Sequence, residues 1–500
     1  MRIHLRIEPG GAGVLFVDVT DVIHLSTNAA LIAKMALDEM PQARARTKLL
    51  AKFSTAEAEN IEGDISKIYT MIEQIKDPQI DCRTCALTAS LDVSPLFSLK
   101  VNAPFKVDIA LTYGCNNQCP HCYNETDRLA MPSLPFDQWK LVLDKVALLG
   151  IPQVILTGGE ATLHPDLLDI IRYADDLGMT VGLNTNGRHI AHQPFMEKIA
   201  QSGLDHIQIT LASNYPEIHN AMMGATSFHQ TVRGIENAVA SGVHAITNTT
   251  LMRNNMDHAE EIIDFLFDLG IQTFAMNGMI YSGGGFAHPS AIAENEMPPL
   301  LVRVREHAEK LGMRFLWYTP TEYYRLSPVE LEVGAKRCNA GEYSMCIEPN
   351  GDILPCQSYY VSAGNILHDP WEEIWMGELF RSFRDREDDP LWAGLPEKYH
   401  HCPDLALCGG GCRIEREARD GGRVANQGGG GCSGCSGSCE TGGAAQQIRG
   451  HSPTAGIING DLPGVIHNPN GGFVPSPGLI KTTVRSSGDM PLIRIEDLLD

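Results

Sequence analysis

The stretch Leu111-Thr-Tyr-Gly-Cys115-Asn-Asn-Gln-Cys119-Pro-His-Cys122 is the most informative part of the sequence. It places three cysteines in a CxxxCxxC pattern directly after the strand-like run Phe105 to Leu111. Three thiolates at this spacing can bind one face of a [4Fe–4S] cube, because its soft irons prefer sulfur ligands. By chance, 14 cysteines in 500 residues would produce this spacing about 0.01 times. The pattern therefore predicts a cluster whose fourth iron has no protein ligand and is open to a substrate or cosubstrate.

A second motif follows in Val154-Ile-Leu-Thr-Gly158-Gly159-Glu160, an apolar run that ends in two glycines and a carboxylate. Glycines allow close backbone approach of a ligand, and Glu160 can accept a hydrogen bond from an ammonium group. An isolated Gly-Gly-Glu is more often a simple turn after a strand. One strand after a CxxxCxxC loop, however, it indicates a ligand site.

The two motifs together, with His121 before the last cysteine, resemble the radical S-adenosylmethionine (SAM) enzymes. The resemblance implies a [4Fe–4S] cluster on Cys115, Cys119 and Cys122 whose open iron is chelated by the amino and carboxylate groups of SAM. It implies that one electron cleaves the sulfonium to give a 5′-deoxyadenosyl radical, which removes a hydrogen atom from the substrate. It also implies a reductant such as flavodoxin or ferredoxin. Because the cofactor performs this chemistry, we assign no catalytic side chain.

Residues 100–315 alternate strand-like and helical runs, which predicts an α/β fold with a parallel sheet and right-handed crossovers. Six such units suit the family's partial (β/α)6 TIM-like barrel, whose ligand lies at the C-terminal mouth of the strands. The run Ser282 to Gly285 is predicted as a further mouth loop, and His219 as a capping or packing residue. The other candidates for contacts to the ribose or carboxylate of SAM are Asn184, Thr185, Ser213 and Arg253.

A second block, residues 316–440, loses the α/β rhythm and carries nine cysteines. The spacings from Cys338 to Cys356 and from Cys402 to Cys412 resemble the SPASM extension, which holds one or two auxiliary [4Fe–4S] clusters. The family has a further cysteine where Tyr399 stands here, so one expected ligand is missing. Zinc is an alternative for the block, most of all for Cys432, Cys435 and Cys439, since zinc binds thiolates readily. The candidate auxiliary ligands are Cys338, Cys346, Cys356, Cys402, Cys408, Cys412 and Cys432.

The pattern of residues 1–90 predicts a small separate unit with a hairpin, Ile3 to Glu8 and Val14 to Val19, followed by helices, the first of which opens in the run His24 to Ile32. Isoleucines recur at steps of three and four from Ile61 to Ile75, which predicts the core-facing side of a later helix. The order resembles the winged-helix precursor-recognition domain of the pyrroloquinoline quinone biosynthesis chaperone type. Such domains bind a leader peptide by adding it as a strand to a sheet edge. The alternative is a structural cap without a binding role. Cys82 and Cys85 form a lone CxxC of undecided role, and residues 441–500 predict a Gly/Pro-rich extension to which we assign no function.

Composition narrows the classes of partner. A formal net charge of −22 disfavours a nonspecific nucleic-acid or acidic-membrane surface, because phosphate binding depends on Lys and Arg. No apolar run has the length of a membrane span, and the N-terminus lacks a signal-peptide stretch. Many cysteines without a secretion signal indicate metal binding in a reducing compartment. These features predict a globular cytoplasmic protein.

We therefore predict a radical SAM enzyme with a SPASM extension that crosslinks or oxidises a ribosomally synthesised precursor peptide. One alternative is a radical SAM enzyme of tetrapyrrole or quinone-cofactor biosynthesis, which does not require a leader-binding domain. The other is a non-catalytic iron–sulfur electron-transfer protein. The Gly-Gly-Glu motif and the barrel disfavour this last alternative, since an electron carrier has no need to bind SAM.

Overall fold

The computed structural model of the protein describes residues 2–8, 10–17, 21–51, 55–76, 97, 100–419, 465–467 and 481–484. The cysteine pair at 82 and 85 and the three cysteines at 432, 435 and 439 lie outside the described residues, as do the predicted boundaries near 90 and 440. Those boundaries stay predictions. None of the helices in the described part of the chain has the length and apolar character of a bilayer span.

The N-terminal unit is an antiparallel meander of β1 (Arg2–Ile7), β2 (Gly13–Val17) and β3 (Asp21–Leu25), followed by α1 (Thr27–Leu37), α2 (Gln42–Leu50) and α3 (Thr55–Lys76). Ser26 caps α1 by accepting a hydrogen bond from Ala29 N at 3.3 Å. The isoleucine stripe of α3, from Ile61 to Ile75, packs into this unit's core. His24, which we expected at the opening of the first helix, lies in β3 instead, because the cap stands two residues later.

Two short strands complete this sheet on its outer edges. β13 (Val465–His467) pairs antiparallel with β3, and β14 (Lys481–Val484) pairs parallel with β1. The sheet order is β13-β3-β2-β1-β14. Both edges of the three-stranded meander are therefore paired, and the outer sides of β13 and β14 are the edges of this sheet in the described part of the chain.

The central body is an open barrel, which confirms the predicted α/β class. Its parallel strands are β4 (Lys106–Thr112), β5 (Gln153–Gly158), β6 (Thr180–Thr185), β7 (His206–Thr210), β8 (His244–Thr250), β9 (Thr273–Asn277) and β10 (Arg314–Trp317). The sheet is extended by β11 (Ser344–Ile347), parallel to β4, and by β12 (Ile353–Leu354), antiparallel to β11. The order β10-β9-β8-β7-β6-β5-β4-β11-β12 leaves an opening between β10 and the β11–β12 edge.

Helices cover the outer face of this sheet. The outward residues of the strands, such as Val107, Ile109 and Leu156, share one apolar core with the helices, including the fully buried Trp139. Parallel strands require such crossovers, and the crossovers bury the outer face. The helices are α4 (Phe136–Leu148), α5 (Leu167–Asp176), α6 (Gln193–Gln201), α7 (Pro216–Met223), α8 (Phe228–Ala240), α9 (Ala259–Asp268) and α10 (Pro298–Leu311).

The segment after β10 wraps back over the start of the barrel. The indoles of Trp371 and Trp375 donate to the carbonyls of Asn102 and Val101 at 3.0 and 3.1 Å. These bonds fix the segment beside β4. Its helices are α11 (Trp371–Trp375), α12 (Glu378–Arg384), α13 (Leu405–Cys408) and α14 (Arg413–Arg419).

The N-terminal unit packs on the end of the barrel where the strands begin. Arg2 pairs with Asp175 at 2.6 Å and with Asp205 at 2.9 Å, and His4 Nε2 lies 2.7 Å from Gly178 O. Asp175 and Gly178 lie a few residues before β6, and Asp205 directly precedes β7. The unit therefore lies at the end opposite the C-terminal mouth.

Candidate functional site

The loop after β4 brings the three predicted cluster cysteines together. Cys115 is exposed, and Cys119 and Cys122 are half-buried. Burial, followed by the neighbouring Cys122 and Cys115, raises the pKa of the Cys119 thiol to about 12. Thiols that raise one another's pKa in this way converge on a common volume. A cationic iron cluster there would offset both the burial and the mutual repulsion of three thiolates, so the donor set fits the cluster that the sequence predicts.

The arrangement differs from a site for one ion. Among the described residues, no three His, Cys, Asp or Glu side chains stand close enough to hold a single metal ion. Ligands of a cube bind separate irons and therefore stand farther apart than ligands of one ion.

The two glycines of the second motif contact the cysteine loop itself. A Cβ on Gly158, whose φ is +135°, would overlap the Thr112 carbonyl oxygen, and one on Gly159 would overlap that of Tyr113. Gly159 N donates to Thr112 O at 2.7 Å. We expected these glycines to make room for a ligand. The structure gives another physical reason, the close approach of two backbone segments.

The Glu160 carboxylate also forms hydrogen bonds within the protein. Its side chain is 1% exposed and accepts four hydrogen bonds. The donors are Thr162 N at 3.1 Å, Thr162 Oγ1 at 2.6 Å, Thr185 Oγ1 at 2.7 Å and Asn186 N at 2.7 Å. We expected Glu160 to bind the ammonium of SAM. The four bonds join the ends of β5 and β6, so we interpret the carboxylate as a group that positions the β6 loop, and its contact to SAM stays a prediction.

The end of β6 supplies residues that sequence reasoning missed. Asn186 Nδ2 donates to Asn116 Oδ1 at 2.6 Å and lies 4.0 Å from Cys115 Sγ. Arg188 donates to Asn116 O and, at 3.0 Å, to Asn117 Oδ1. These side chains shape the loop between the first two cysteines. The signal in the sequence was the polar run at the end of β6, from which we assigned only Asn184 and Thr185 as SAM contacts.

The other predicted SAM contacts lie at or just after the ends of β6, β7 and β8, and Ala212 and Met252, next to two of them, pack in one cluster with Cys119. Asn184 lies on β6, half-buried on the inner face of the barrel. Ser213 is fully buried and accepts from Tyr215 N at 3.1 Å, so it shapes a turn. Arg253 pairs with Glu296 at 2.7 Å, and both side chains are nearly half exposed. For Ser213 and Arg253 the structure therefore offers local structural roles.

His219 behaves as expected of a packing residue. It is fully buried, its Nδ1 accepts from Ala212 N at 3.3 Å, and its Nε2 lies 3.2 Å from Ser227 Oγ. Burial lowers the pKa of this imidazole to about 4.

The predicted mouth loop from Ser282 to Gly285 contacts the cysteine loop. Gly284 N donates to Cys122 O at 2.7 Å, and Gly283 packs against the carbonyls of the residues that follow Cys122. Cys119 Sγ lies 3.9 Å from Met223 Sδ, on the other side of the loop. The cluster loop is thus held between the ends of β4, β7 and β9.

The second cysteine block forms two groups. Cys338, Cys356 and Cys412 share one apolar cluster between the barrel and the wrapped segment. Burial, followed by Cys338, raises the pKa of the Cys356 thiol to about 12. Cys402 and Cys408 form the second group, in which burial and the nearby Cys402 are among the causes that raise the pKa of Cys408. The first group has the three converging thiols that a cluster requires.

Two positions depart from the predicted ligand set. Cys346 is fully buried on β11 and packs with Ala110, Tyr113 and Tyr360, which belong to a different cluster from Cys338. Tyr399, at the place of the missing cysteine, is buried beside Cys402, and its hydroxyl has no hydrogen-bond partner among the residues that the structure describes. Cys432, the last predicted ligand, lies outside the described residues.

The comparisons with known proteins agree with this architecture. Residues 109–266 match the Radical SAM superfamily, and residues 338–403 match SPASM, described as an iron-sulfur cluster-binding domain. The chain therefore carries a radical SAM domain followed by a SPASM domain. Its cofactors are therefore SAM and iron–sulfur clusters of the [4Fe–4S] type.

Individual relatives are similar over most of their length. A PqqA peptide cyclase of Streptomyces rochei is 28% identical over 326 residues, covering 63% of this chain and 86% of the relative. An AdoMet-dependent heme synthase of Methanosarcina barkeri is 27% identical over 337 residues, covering 64% and 94%. The crystal structure of Streptococcus suis SuiB bound to precursor peptide SuiA has a TM-score of 0.59 at 16% identity, covering 83% of this chain and 94% of that one. The last similarity shows a shared fold.

Proposed function

We propose that this radical SAM enzyme modifies a ribosomally synthesised precursor peptide by a crosslink or another net oxidation. The observation that carries the proposal is the combination of a cluster loop at one end of the barrel interior and the converging thiols of Cys338, Cys356 and Cys412 at its open edge. A hydrogen atom removed from a peptide leaves a carbon radical, and a stable oxidised product then requires the loss of one more electron and a proton. A second redox group near the interior suits that need.

The protein's own residues position and shield the site. When bound, the cluster and SAM supply a 5′-deoxyadenosyl radical that abstracts the hydrogen atom. Asn186 and Arg188 set the shape of the loop between Cys115 and Cys119. Gly284 holds the backbone at Cys122. Such fixed contacts limit the movement of a reactive intermediate and exclude competing hydrogen donors.

Relatives support a peptide substrate. Proteins similar to this chain include PqqA peptide cyclases, and SuiB is known in complex with its precursor peptide. The match to SuiB covers more of this chain than the barrel and the SPASM domain alone. The N-terminal sheet-and-helix unit is the part best suited to hold a leader peptide, by strand addition at a sheet edge.

The test uses anaerobically reconstituted full-length enzyme with dithionite, SAM and a synthetic precursor encoded beside the gene. We expect 5′-deoxyadenosine together with a peptide that has lost two hydrogen atoms by mass spectrometry. The triple variant Cys115→Ala/Cys119→Ala/Cys122→Ala is expected to form neither product. If the enzyme produces 5′-deoxyadenosine but leaves every neighbouring small peptide unchanged, the peptide proposal fails while the family assignment stands.

A second candidate is a radical reaction on a tetrapyrrole, because AdoMet-dependent heme synthases are similar to this chain at 27% identity. Substitution of porphyrins for the peptide in the same assay distinguishes the two. A flavodoxin or ferredoxin as the electron donor and a cytoplasmic location also belong to the proposal. Replacement of dithionite by such a protein, with its reductase, tests the donor.

A further inference from the structure

The inner face of the barrel carries polar side chains along β7 and β8. Gln208 is half-buried, whereas Ile207 and Ile209 on either side of it are fully buried against the helices. Asn248 is likewise half-buried between two fully buried threonines. Because side chains alternate between the two faces of a strand, both carboxamides point into the interior. TIM-type barrels are usually filled by branched aliphatic side chains, so these positions indicate an interior with accessible polar groups rather than a packed apolar core.

A third carboxamide, Asn277, lies on the inner face of β9. Phe274 and Met276 on the same strand belong to the apolar core outside the sheet, so the alternation turns Asn277 inward. Its Nδ2 donates to Thr250 Oγ1 at 3.3 Å and to Gly278 O at 2.7 Å. These two bonds use its donors and leave Oδ1 as the group that it presents.

The three carboxamides form a diagonal row across the sheet. Asn248 stands opposite the residue two beyond Gln208 on β7, and Asn277 stands opposite the residue two beyond Asn248 on β8. Neighbouring strands lie about 4.8 Å apart and two residues advance a strand by about 6.6 Å, so neighbours in the row are about 8 Å apart. We call Gln208, Asn248 and Asn277 the carboxamide row.

Most of the hydrogen-bonding capacity of the row is unused within the described part of the chain. Gln208 and Asn248 make no side-chain hydrogen bond to any described residue, and Asn248 Oδ1 is buried. Asn277 Oδ1 is also buried and has no hydrogen-bond partner among the described residues. A buried amide oxygen without a partner costs free energy, so such groups are rarely left unpaired. The row therefore presents two buried acceptors and the N–H donors of two amides to a ligand in the interior.

The row borders both the predicted SAM site and the cysteine loop. Gln208 stands opposite Asn184 in register, and Asn184 is a predicted SAM contact. Asn277 lies two residues before Met279, which packs in one cluster with Cys119. A ligand bound along the row is therefore next to the loop on which the cofactor chemistry depends.

We propose that the carboxamide row binds the backbone of the substrate peptide in an extended conformation, an inference that rests on the proposed function. A carboxamide carries one acceptor group and two donors, the same kinds of group as a peptide bond, and it pairs with backbone groups whatever the side chains are. An extended chain repeats the direction of its amides every two residues, or about 6.6 Å, which is close to the spacing of the row. A ligand recognised through carboxylates, such as a porphyrin, would instead require cations. Because the three side chains are neutral, the row holds any peptide of suitable shape, and the choice of precursor falls to other parts of the protein.

The test measures binding to anaerobically reconstituted full-length enzyme with SAM and without a reductant, so that no turnover occurs. The probe is a hexapeptide of alternating alanine and glycine with ¹⁴C-acetyl and N-methylamide ends, and its binding is followed by equilibrium dialysis. The control probe has glycolic acid in place of each glycine, so that ester oxygens replace N–H donors in a chain of the same length. We expect saturable binding of the amide probe. Binding of the ester probe should be at least about tenfold weaker, because the buried oxygens of Asn248 and Asn277 lose their donors.

Variants then test the row itself. Gln208→Met/Asn248→Leu keeps the approximate shape of both side chains and breaks no hydrogen bond within the described part of the chain, so the fold should persist. Its affinity for the amide probe should fall at least about tenfold, since two hydrogen bonds to the ligand are lost. Gln138→Met/Gln201→Met makes a similar change at two exposed glutamines on α4 and α6 and is expected to bind normally. If the double variant of the row does not fold, Gln208→Met alone should weaken binding about fivefold.

The outcomes separate this inference from the proposed function. Equal affinity for both probes, or equal affinity of the row variant and the surface variant, would overturn the row as a backbone site while the peptide substrate stands. A lower affinity for SAM in the row variant than in the surface variant would assign the row to the cofactor and also overturn the inference. Absence of saturable binding of the amide probe would overturn the row as well, and binding of a porphyrin tetracarboxylate in its place would also overturn the peptide substrate. No outcome depends on peptide modification, so a failed maturation assay leaves this test intact.

Discussion

Replacement of Glu160 by Gln tests whether this carboxylate positions the β6 loop or binds SAM directly. The side chain is 1% exposed and accepts from Thr162 N, Thr162 Oγ1, Thr185 Oγ1 and Asn186 N. A glutamine can keep its oxygen toward the three donors at Oε1. Its NH₂ group then faces the N–H of Asn186, and one charge-assisted hydrogen bond is lost.

The expected cost follows from that geometry. A hydrogen bond to a charged group contributes roughly 1.5 to 3 kcal/mol, and an unpaired buried N–H adds to the loss. At about 1.4 kcal/mol per factor of ten, amide hydrogen exchange at Asn186 should become roughly ten- to a hundredfold faster. The amide hydrogens of Thr185 and its neighbours at the end of β6 should also exchange faster.

The assay is hydrogen exchange with mass spectrometry on the cluster-free chain, with SAM affinity measured separately on reconstituted enzyme. Glu236→Gln is the control, because the Glu236 side chain is 47% exposed and its ion pair in the described part of the chain, with Arg233 at 3.0 Å, lies on the surface. A Glu160→Gln variant with normal exchange at Asn186 but abolished SAM binding would show that Glu160 contacts SAM directly. Our interpretation of Glu160 as a positioning group would then be wrong.

Three further perturbations have defined expected results. Gly159→Ala forces a Cβ into the backbone of the cysteine loop, so iron per chain after reconstitution should fall, whereas Gly63→Ala, with open space around its Cβ, should leave it unchanged. Cys338→Ser should lower the iron content measured by colorimetry by up to about four atoms per chain, while Cys346→Ser should have no effect; equal losses would contradict our grouping. Burial holds the pKa of His219 near 4, below its unfolded value of about 6.5. Between these two pH values the unfolded chain binds more protons than the folded chain, so the stability of the fold falls as pH decreases. From pH 7 to pH 5 we expect a loss of about 2 kcal/mol for the barrel, read as a lower thermal midpoint; the same slope in His219→Gln would refute the assignment.

Much of the fold could be predicted because its signals are local in the sequence. Alternating strand and helix patterns predicted the parallel sheet, and the isoleucine stripe predicted the buried face of α3. The third strand of the N-terminal unit was missed, since its five residues directly precede a helix cap. A short strand beside such a strong helix signal has little periodicity of its own.

In the candidate site, the sequence indicates the groups that lie within one loop. The cysteines of the first loop are recognised by their spacing. The partners of Glu160 do not, because Thr185 and Asn186 become its neighbours only when β5 and β6 pair. We singled out Gly159 for the approach of a ligand, and in the fold it packs against the Tyr113 carbonyl. Spacing identifies ligands within one loop, whereas contacts between strand ends require the register of the sheet.

The position of the thiol group that contains Cys356 bears on the kind of reaction that the protein favours. Cys346 lies on the inner side of β11, opposite Asp108 in register; burial, followed by the nearby Asp108, Glu348 and Cys356, raises the pKa of its thiol. Cys356 therefore lies just beyond the inner wall at the open edge. A substrate radical formed in the interior would have an electron acceptor at this edge and polar groups along the inner face to take up a proton. An enzyme that only rearranged its substrate would return the hydrogen atom and need neither group. We therefore favour a reaction that removes two hydrogen atoms from the peptide over one that conserves them.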